Sequence, residues 1–301
     1  MTTDTFSCAI DLVIFTVANP ADFPSMIWDE SLVSYGPTGQ DNKAGLSLFV
    51  VTVPDTNSVS PAGKRILPGG FLSSNETMKQ AASRIAAEKL GLKVPNLMPV
   101  RTFYPPFGSP SDRVLSFPFW AMVSFEDVRR SLGGRDQIGL ELVTSRAFMD
   151  YFEQTNGPLE KFDGVSRFGY RTMPSPSEKR WHRKFLTEDM PTGQVLGLDH
   201  DDMVFYAWRQ LRHAFDGVVD PFTFLRLNPL GEEFRLSELQ EFREVCRGET
   251  IQRDYFKRQM LSLNQTYIQS IDKTDRSRPG KPAKLYKSVV EIPAEDTEDS
   301  D

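Results

Sequence analysis

The 301-residue sequence predicts an α+β fold in two domains, a layered sheet-and-helix domain followed by a small helical module that ends in strands. Three observations predict it. Runs of β-branched and aromatic residues recur between residues 8 and 123, a tightly spaced pair of amphipathic helices follows residue 237, and positive charge gathers in and behind that pair. The net charge is −6, yet residues 243–287 carry 11 Lys and Arg against five Asp and Glu, a local excess of +6. The final eleven residues, 291–301, hold six carboxylates and no cation. With so little to bury, the acidic tail 288–301 is expected to be disordered.

No run approaches the roughly 20 apolar residues of a membrane-spanning helix. The opening MTTDTF has neither the basic start nor the apolar stretch of a signal peptide, so a cytoplasmic protein is expected. Cys8 and Cys246 each sit inside an apolar pattern and read as buried free thiols. His182, His200 and His213 lack the spacing of zinc ligands.

Residues 8–17 and 46–53 have the composition of central strands, separated by a long turn-rich connection. A third strand ends at Ile66 and Leu67, where Gly69 and Gly70 permit a sharp turn. A helix is expected over 76–90, capped by Asn75 and stopped at Gly91. After a loop-like stretch, residues 113–123 return to strand composition around Trp120. Residues 131–184 combine one amphipathic helical pattern (Leu142, Phe148, Tyr151, Phe152) with Gly-, Pro- and Ser-rich sequence, and read as an insertion.

From residue 201 the period turns helical, with Val204, Trp208, Leu211 and Phe215 on one face, in a position to bridge the two domains. Ser237 with Gln240 reads as a capping box opening the next helix, whose apolar stripe is Leu239, Phe242, Val245 and Cys246; Gly248 closes it. Thr250 is expected to cap a further helix that turns Ile251, Tyr255 or Phe256, and Met260 inward. Strands over 266–271 and 283–287, joined by the basic DKTDRSRPGKP, complete a winged helix-turn-helix pattern. Phosphate contact needs cations and base reading needs forked donors. The candidate DNA-binding residues are therefore Gln252, Arg253, Lys257 and Arg258 on the second helix, with Arg276, Arg278, Lys281 and Lys284 on the wing.

The segment LPGGFLSSNETMKQAASRIAAEKLGL resembles the Nudix box, with Gly70, Glu76, Arg84, Ala86, Glu88, Gly91 and Leu92 at pattern positions. The resemblance implies a Nudix-like α/β/α sandwich. That box works by presenting several carboxylates one helical turn apart to share Mg²⁺ on a pyrophosphate. Here Ile85 and Lys89 stand where two of the three family metal ligands would be, leaving Glu88. No catalytic residues and no cofactor are expected, with at most a weak residual Mg²⁺ at Glu88. Arg84 and Glu88, one turn apart, read as a surface ion pair.

The later segment GLDHDDMVFYAWRQLRHAFDGVVDPFTFLRLNPLGEEFRLSELQEF resembles the junction of the Nudix-related transcriptional regulators, in which Asp199, His200, Phe224, Pro229, Ser237, Glu238, Leu239 and Gln240 fit the pattern. The segments RDYFKRQMLS and SRPGKPAKLYK resemble that family's recognition helix and wing. Together the likeness covers most of residues 7–128 and 185–287. It implies an effector-binding Nudix-like domain over 1–198, with the insertion at about 131–184, and a linking helix plus winged helix over 199–287. It also implies a homodimer on double-stranded DNA and an effector such as ADP-ribose or a related nucleotide or sugar. An adenine or diphosphate calls for aromatic faces and Arg, which makes Arg101, Phe103, Tyr104 and Arg113 the candidate ligand residues. An active Nudix hydrolase and a noncatalytic protein-binding scaffold are the alternatives.

Overall fold

Strand β1 (Ser7–Ala18) is buried along most of its length, because its alternate side chains enter two different cores. Val13, Phe15 and Val17 face one, and Ile10, Leu12 and Ile14 face the other. A strand covered on both faces reads as a continuous apolar run, as this one does. In the computed structural model β1 lies between β2 (Ser47–Pro54), antiparallel to it, and β6 (Val114–Met122), parallel to it. The structure describes residues 7–19, 46–54, 65–94, 96–103, 114–132, 138–142, 200–214, 230–247, 250–262, 268–276 and 282–289.

The sheet runs β3-β2-β1-β6-β5, where β3 is Arg65–Ile66 and β5 is Met98–Pro99. Strand β4 (Gly69–Phe71) pairs with the start of β1, and β7 (Gly139–Leu142) pairs with β2. Helices α1 (Met78–Ile85) and α2 (Phe125–Leu132) cover one face, and α3 (His200–Ala214) covers the other. This is the expected α/β/α sandwich, with its second helical layer supplied by α3, the linking helix expected within 199–287.

The second module begins with β8 (Glu233–Arg235) and α4 (Leu236–Arg247), followed by α5 (Arg253–Ser262), β9 (Ile268–Asp275) and β10 (Ala283–Ser288). Its three strands form one sheet in the order β8-β10-β9, so α4 and α5 with the β9-β10 hairpin make a winged helix. The core of this module, including Phe234, Phe242, Phe256 and Met260, continues without a break through Met203, Trp208 and Leu211 of α3 to Phe15 and Trp120 of the large sheet. Each such side chain contributes about 1.5–3 kcal/mol of burial, so α3 is a structural bridge rather than a loose tether. A hydrogen bond from the Leu46 N–H to Glu241 Oε1 (2.7 Å) adds a direct link from the start of β2 to α4.

Several boundaries differ from those read in the sequence. The box helix is capped by Thr77, not Asn75: its hydroxyl accepts from the Gln80 N–H (3.2 Å) while the Gln80 side chain accepts from the Thr77 N–H (2.8 Å). After Ile85 the helix widens into a π-helical turn, Ala86–Leu90, and ends at Gly91, whose φ of 66° suits a residue without Cβ. Helix α4 starts at Leu236, one residue before the expected Ser237 cap, and the Glu238 carboxylate accepts the Arg235 N–H (2.9 Å). Gln240 is thereby released to serve the turn ahead. In α5 the carbonyl of Gln252, not that of Thr250, accepts the first helical bond, from the Phe256 N–H (3.0 Å).

Helix α2 was not anticipated. Its signal is a Ser-x-x-Asp capping pair, in which the Ser124 hydroxyl accepts from the Asp127 N–H (3.1 Å). The stretch read as an insertion starts inside α2 and contains β7, an edge strand of the main sheet. Leu142 therefore belongs to a strand and not to the helix expected around it, since backbone pairing with Phe49 fixes it in extended form. Residues 143–184, like the tail from 290 onward, lie outside the described residues.

Candidate functional site

The box helix presents its residues on two faces with different surroundings. Ile85 is 1% exposed in the core between α1 and the sheet, and a Cβ on Gly70 would meet its side chain at 3.3 Å. Glu88 and Lys89 point to solvent. Arg84 gathers the remaining carboxylates: its Nη2 and Nε donate to the two oxygens of Glu76 (2.6 and 2.9 Å), its Nη1 to Glu88 (3.2 Å), and Nη2 also to the Phe71 carbonyl (3.1 Å). The surface ion pair read from sequence is present. Its larger part, the forked Glu76 contact, has a spacing of eight residues that a helix-period argument does not reach.

Hydrogen bonds from Arg84 first, then the Ser73 N–H, hold the Glu76 pKa down to about 2 from an ordinary 4.5. A depressed folded-state pKa contributes stability above the ordinary value that is lost as pH falls toward 2. The Glu76 carboxylate is thus expected to stay ionised at about pH 3.5, where an unpaired glutamate is mostly protonated. Side-chain carboxyl NMR across roughly pH 2–6 checks this.

At the foot of the same loop, the buried Leu67 N–H donates to His200 Nδ1 (2.9 Å), tying the strand that enters the loop to the first residue of α3. His200 Nε2 faces Asp11 Oδ1 at 3.8 Å. Burial raises the Asp11 pKa, against the opposing charge of His200 and a hydrogen bond with Ser116. Gly69 makes this approach feasible, because a Cβ there would lie 2.4 Å from Asp11 Oδ1. His200 is therefore a core histidine that joins the loop, β1 and α3.

A cleft of about 490 Å³ opens between the chain after β5 and the outer side of α3, lined by Val100, Arg101, Thr102, Tyr206, Arg209, Gln210 and His213. The Arg101 guanidinium lies 4.7 Å from the Tyr206 ring centre and 5.7 Å from that of Phe103, and Arg209 lies 5.9 Å from Tyr206 on the same ring. The Arg209 pKa is lowered, chiefly by burial; the nearby Arg101 charge acts in the same direction and Tyr206 in the opposite one. Two like charges in one half-buried cleft favour an anion. Arg101 and Phe103, both expected from sequence, meet here, with Phe103 buried behind the lining. Tyr206, Arg209, Gln210 and His213 were missed because α3 is far away in sequence. Tyr104 and Arg113 lie outside the described residues.

In the winged helix, Gln240 and Glu244 of α4 pin the turn. Glu244 accepts from the Ile251 N–H (2.8 Å) and Gln240 donates to the Ile251 carbonyl (2.9 Å). Phe256 and Met260 anchor α5, leaving Gln252, Arg253, Lys257 and Arg258 exposed. At about 3.6 residues per turn, Arg258 stands opposite the anchors and Lys257 on a flank, while Arg253, three residues before Phe256, lies toward the anchor side at the first position of α5 and Gln252 just precedes it. Arg276 and Lys284, at the two ends of the wing hairpin, are exposed; Arg278 and Lys281 lie outside the described residues. Buried Arg235 of β8 is paired with Asp275 of β9 across the intervening β10. Among the described residues, no helix is long and apolar enough to cross a membrane.

A mixed sheet between helices, joined through one bridging helix to a winged helix, defines the architecture of a Nudix-like sandwich fused to a winged-helix module. Residues 227–288 match the family model of the NrtR DNA-binding winged helix domain. The chain as a whole has the fold of the Shewanella oneidensis NrtR complexed with a 27mer DNA: 18% identity, 93% of each chain covered, TM-score 0.55. A further crystal structure of S. oneidensis NrtR matches at 18% identity, 94% of each chain and a TM-score of 0.53. A MutT/nudix family protein from Enterococcus faecalis matches at 14% identity, 96% of this chain and 88% of that one, with a TM-score of 0.53. Comparison with curated protein sequences gives no match.

Proposed function

We propose that the chain is a ligand-responsive transcription regulator that binds double-stranded DNA as a homodimer and senses ADP-ribose, or a related nucleotide or sugar, without cleaving it. The observation that carries this reading is the winged helix with an exposed cationic α5 face, built on a core continuous with a Nudix-like sheet. Resemblance to NrtR, and the DNA named for the S. oneidensis protein, support the partner.

The residues of the box do not fit a catalytic metal. Mg²⁺ asks for several oxygen ligands around one point. Here Ile85 is buried, Lys89 adds a cation, and Glu76 and Glu88 are both engaged by the one Arg84 guanidinium. Among the described residues no group of three His, Cys, Asp or Glu could hold a metal. These features support a sensor over a hydrolase. The cleft at Arg101 and Arg209 is the proposed effector site, with the guanidiniums taking phosphate and Tyr206 facing the base. Because Tyr206 and Arg209 lie on α3, a ligand that binds one position of this helix more tightly than another would bias the winged helix attached to it.

Sequencing the genomic fragments retained by the purified protein, with and without ADP-ribose, tests the function. Enrichment of a defined site whose retention changes with ligand is expected; retention independent of sequence would exclude a specific regulator. Arg101→Ala is expected to weaken ADP-ribose binding about tenfold or more in calorimetry, as removal of a charge-assisted hydrogen bond does, without altering DNA affinity in the absence of ligand.

A further inference from the structure

The outward face of α5 is chemically unusual for a surface that meets DNA. Tyr255 and Leu261 are 55% and 41% exposed, two large apolar side chains on one ten-residue helix. Counting around the helix, Tyr255, Arg258 and Leu261 sit at successive three-residue steps across the side opposite Phe256 and Met260, with Arg258 between the two apolar groups. Asp254 stands one turn before Arg258 on this same side. A carboxylate there repels backbone phosphates, whereas Lys257 on the flank and Arg253 at the start of the helix suit them. The centre of the face is therefore fitted to base edges and its margin to the backbone.

In the major groove the one apolar group displayed by a base pair is the 5-methyl of thymine, and the forked donor of arginine matches guanine O6 and N7. Resting on the DNA-binding reading above, we propose that Tyr255 and Leu261 are specificity-determining residues that pack on thymine methyl groups to either side of a guanine read by Arg258. Each half-site should then hold a G·C pair flanked closely by A·T pairs whose thymines present their methyls to α5. Asp254, one turn before Arg258, disfavours a phosphate in that place.

The test uses the full-length protein and its best selected duplex, with single thymines beside the guanine replaced by deoxyuridine, which removes only the methyl. Each such replacement is expected to weaken wild-type binding by about fourfold, the factor for desolvating one carbon. Tyr255→Ser or Leu261→Ser should bind the thymine and uracil duplexes equally at its own position while keeping wild-type affinity for scrambled DNA. Both positions are exposed, so the fold is expected to survive, and thermal melting confirms it. Equal wild-type binding to both duplexes, or variants that still distinguish them, overturns the proposal while leaving DNA binding standing. If no duplex is preferred over scrambled sequence, the DNA-reading function falls and this proposal with it. If the serine variants instead lose self-association with DNA affinity unchanged, the proposal is overturned and the face belongs to a second copy of the chain.

Discussion

Ile85→Glu is expected to cost the fold about 3–5 kcal/mol at neutral pH and to restore no metal-dependent hydrolysis, even combined with Lys89→Glu. The family pattern at this position invites the opposite view, that a carboxylate would rebuild a metal site. The structure argues against it, because Ile85 packs beneath Gly70 in the apolar layer between α1 and the sheet. A glutamate there would forgo the isoleucine packing and carry a carboxyl whose pKa burial raises. The sign follows: the penalty is largest where the unfolded chain is ionised, at roughly pH 6–8, and shrinks as pH falls through the ordinary carboxylate range. Lys89→Glu alone, on an exposed side chain, should stay within about 0.5 kcal/mol. Denaturant unfolding at about pH 7 and about pH 4, either side of most of that range, with product analysis on ADP-ribose and Mg²⁺ or Mn²⁺, reads both effects. Full stability with turnover in the ordinary enzyme range, roughly 1 to 1,000 per second, would show that the box tolerates the carboxylate and supports catalysis after all.

Removing the cations of α5 should act differently from removing those of the wing. Arg258→Ala is expected to weaken the cognate site by roughly 1–3 kcal/mol more than random DNA, because it stands at the centre of the outward face. Arg276→Ala or Lys284→Ala should weaken all sequences about equally and flatten the salt dependence by about one unit for each phosphate no longer engaged. Lys257 on the flank and Arg253 at the start of the helix should resemble the wing residues more than Arg258. Titrations of single variants against selected and scrambled duplexes at several salt concentrations separate these outcomes. Unchanged cognate affinity after removal of Arg253, Lys257 and Arg258 together would take α5 out of the interface and favour a protein partner. For a homodimer the selected site should be an inverted repeat with half-sites about 10 bp apart, or a multiple of that.

How much of this was legible in the sequence depended on how local each feature is. The central strands, the box helix, α3, the helix pair and the wing strands follow from short-range periodicity and composition, and each formed within a few residues of the expected place. Caps were placed less well. At the box helix Ser73, Ser74, Asn75 and Thr77 all compete, and the choice of Thr77 rests on the reciprocal bond with Gln80. Strand β7 escaped because Gly139 and Glu141 interrupt its apolar residues and only pairing with β2 makes it a strand. The cleft could be half seen: Arg101 and Phe103 follow the box helix, but their partners Tyr206 and Arg209 come from α3, and only the packing of α3 on the sheet joins them. The buried link from Leu67 to His200 was invisible for the same reason.

A regulator that senses ADP-ribose without cleaving it is checked most directly by a binding isotherm of the wild-type protein on its selected duplex at fixed salt, run with and without ADP-ribose, followed by recovery of the nucleotide. Duplex affinity should shift by about fivefold or more, the usual scale of coupling between two sites, with the ADP-ribose recovered intact. Affinity that does not change with ligand, together with conversion of the ADP-ribose to products, would contradict this function and identify the Nudix-like domain as a working hydrolase.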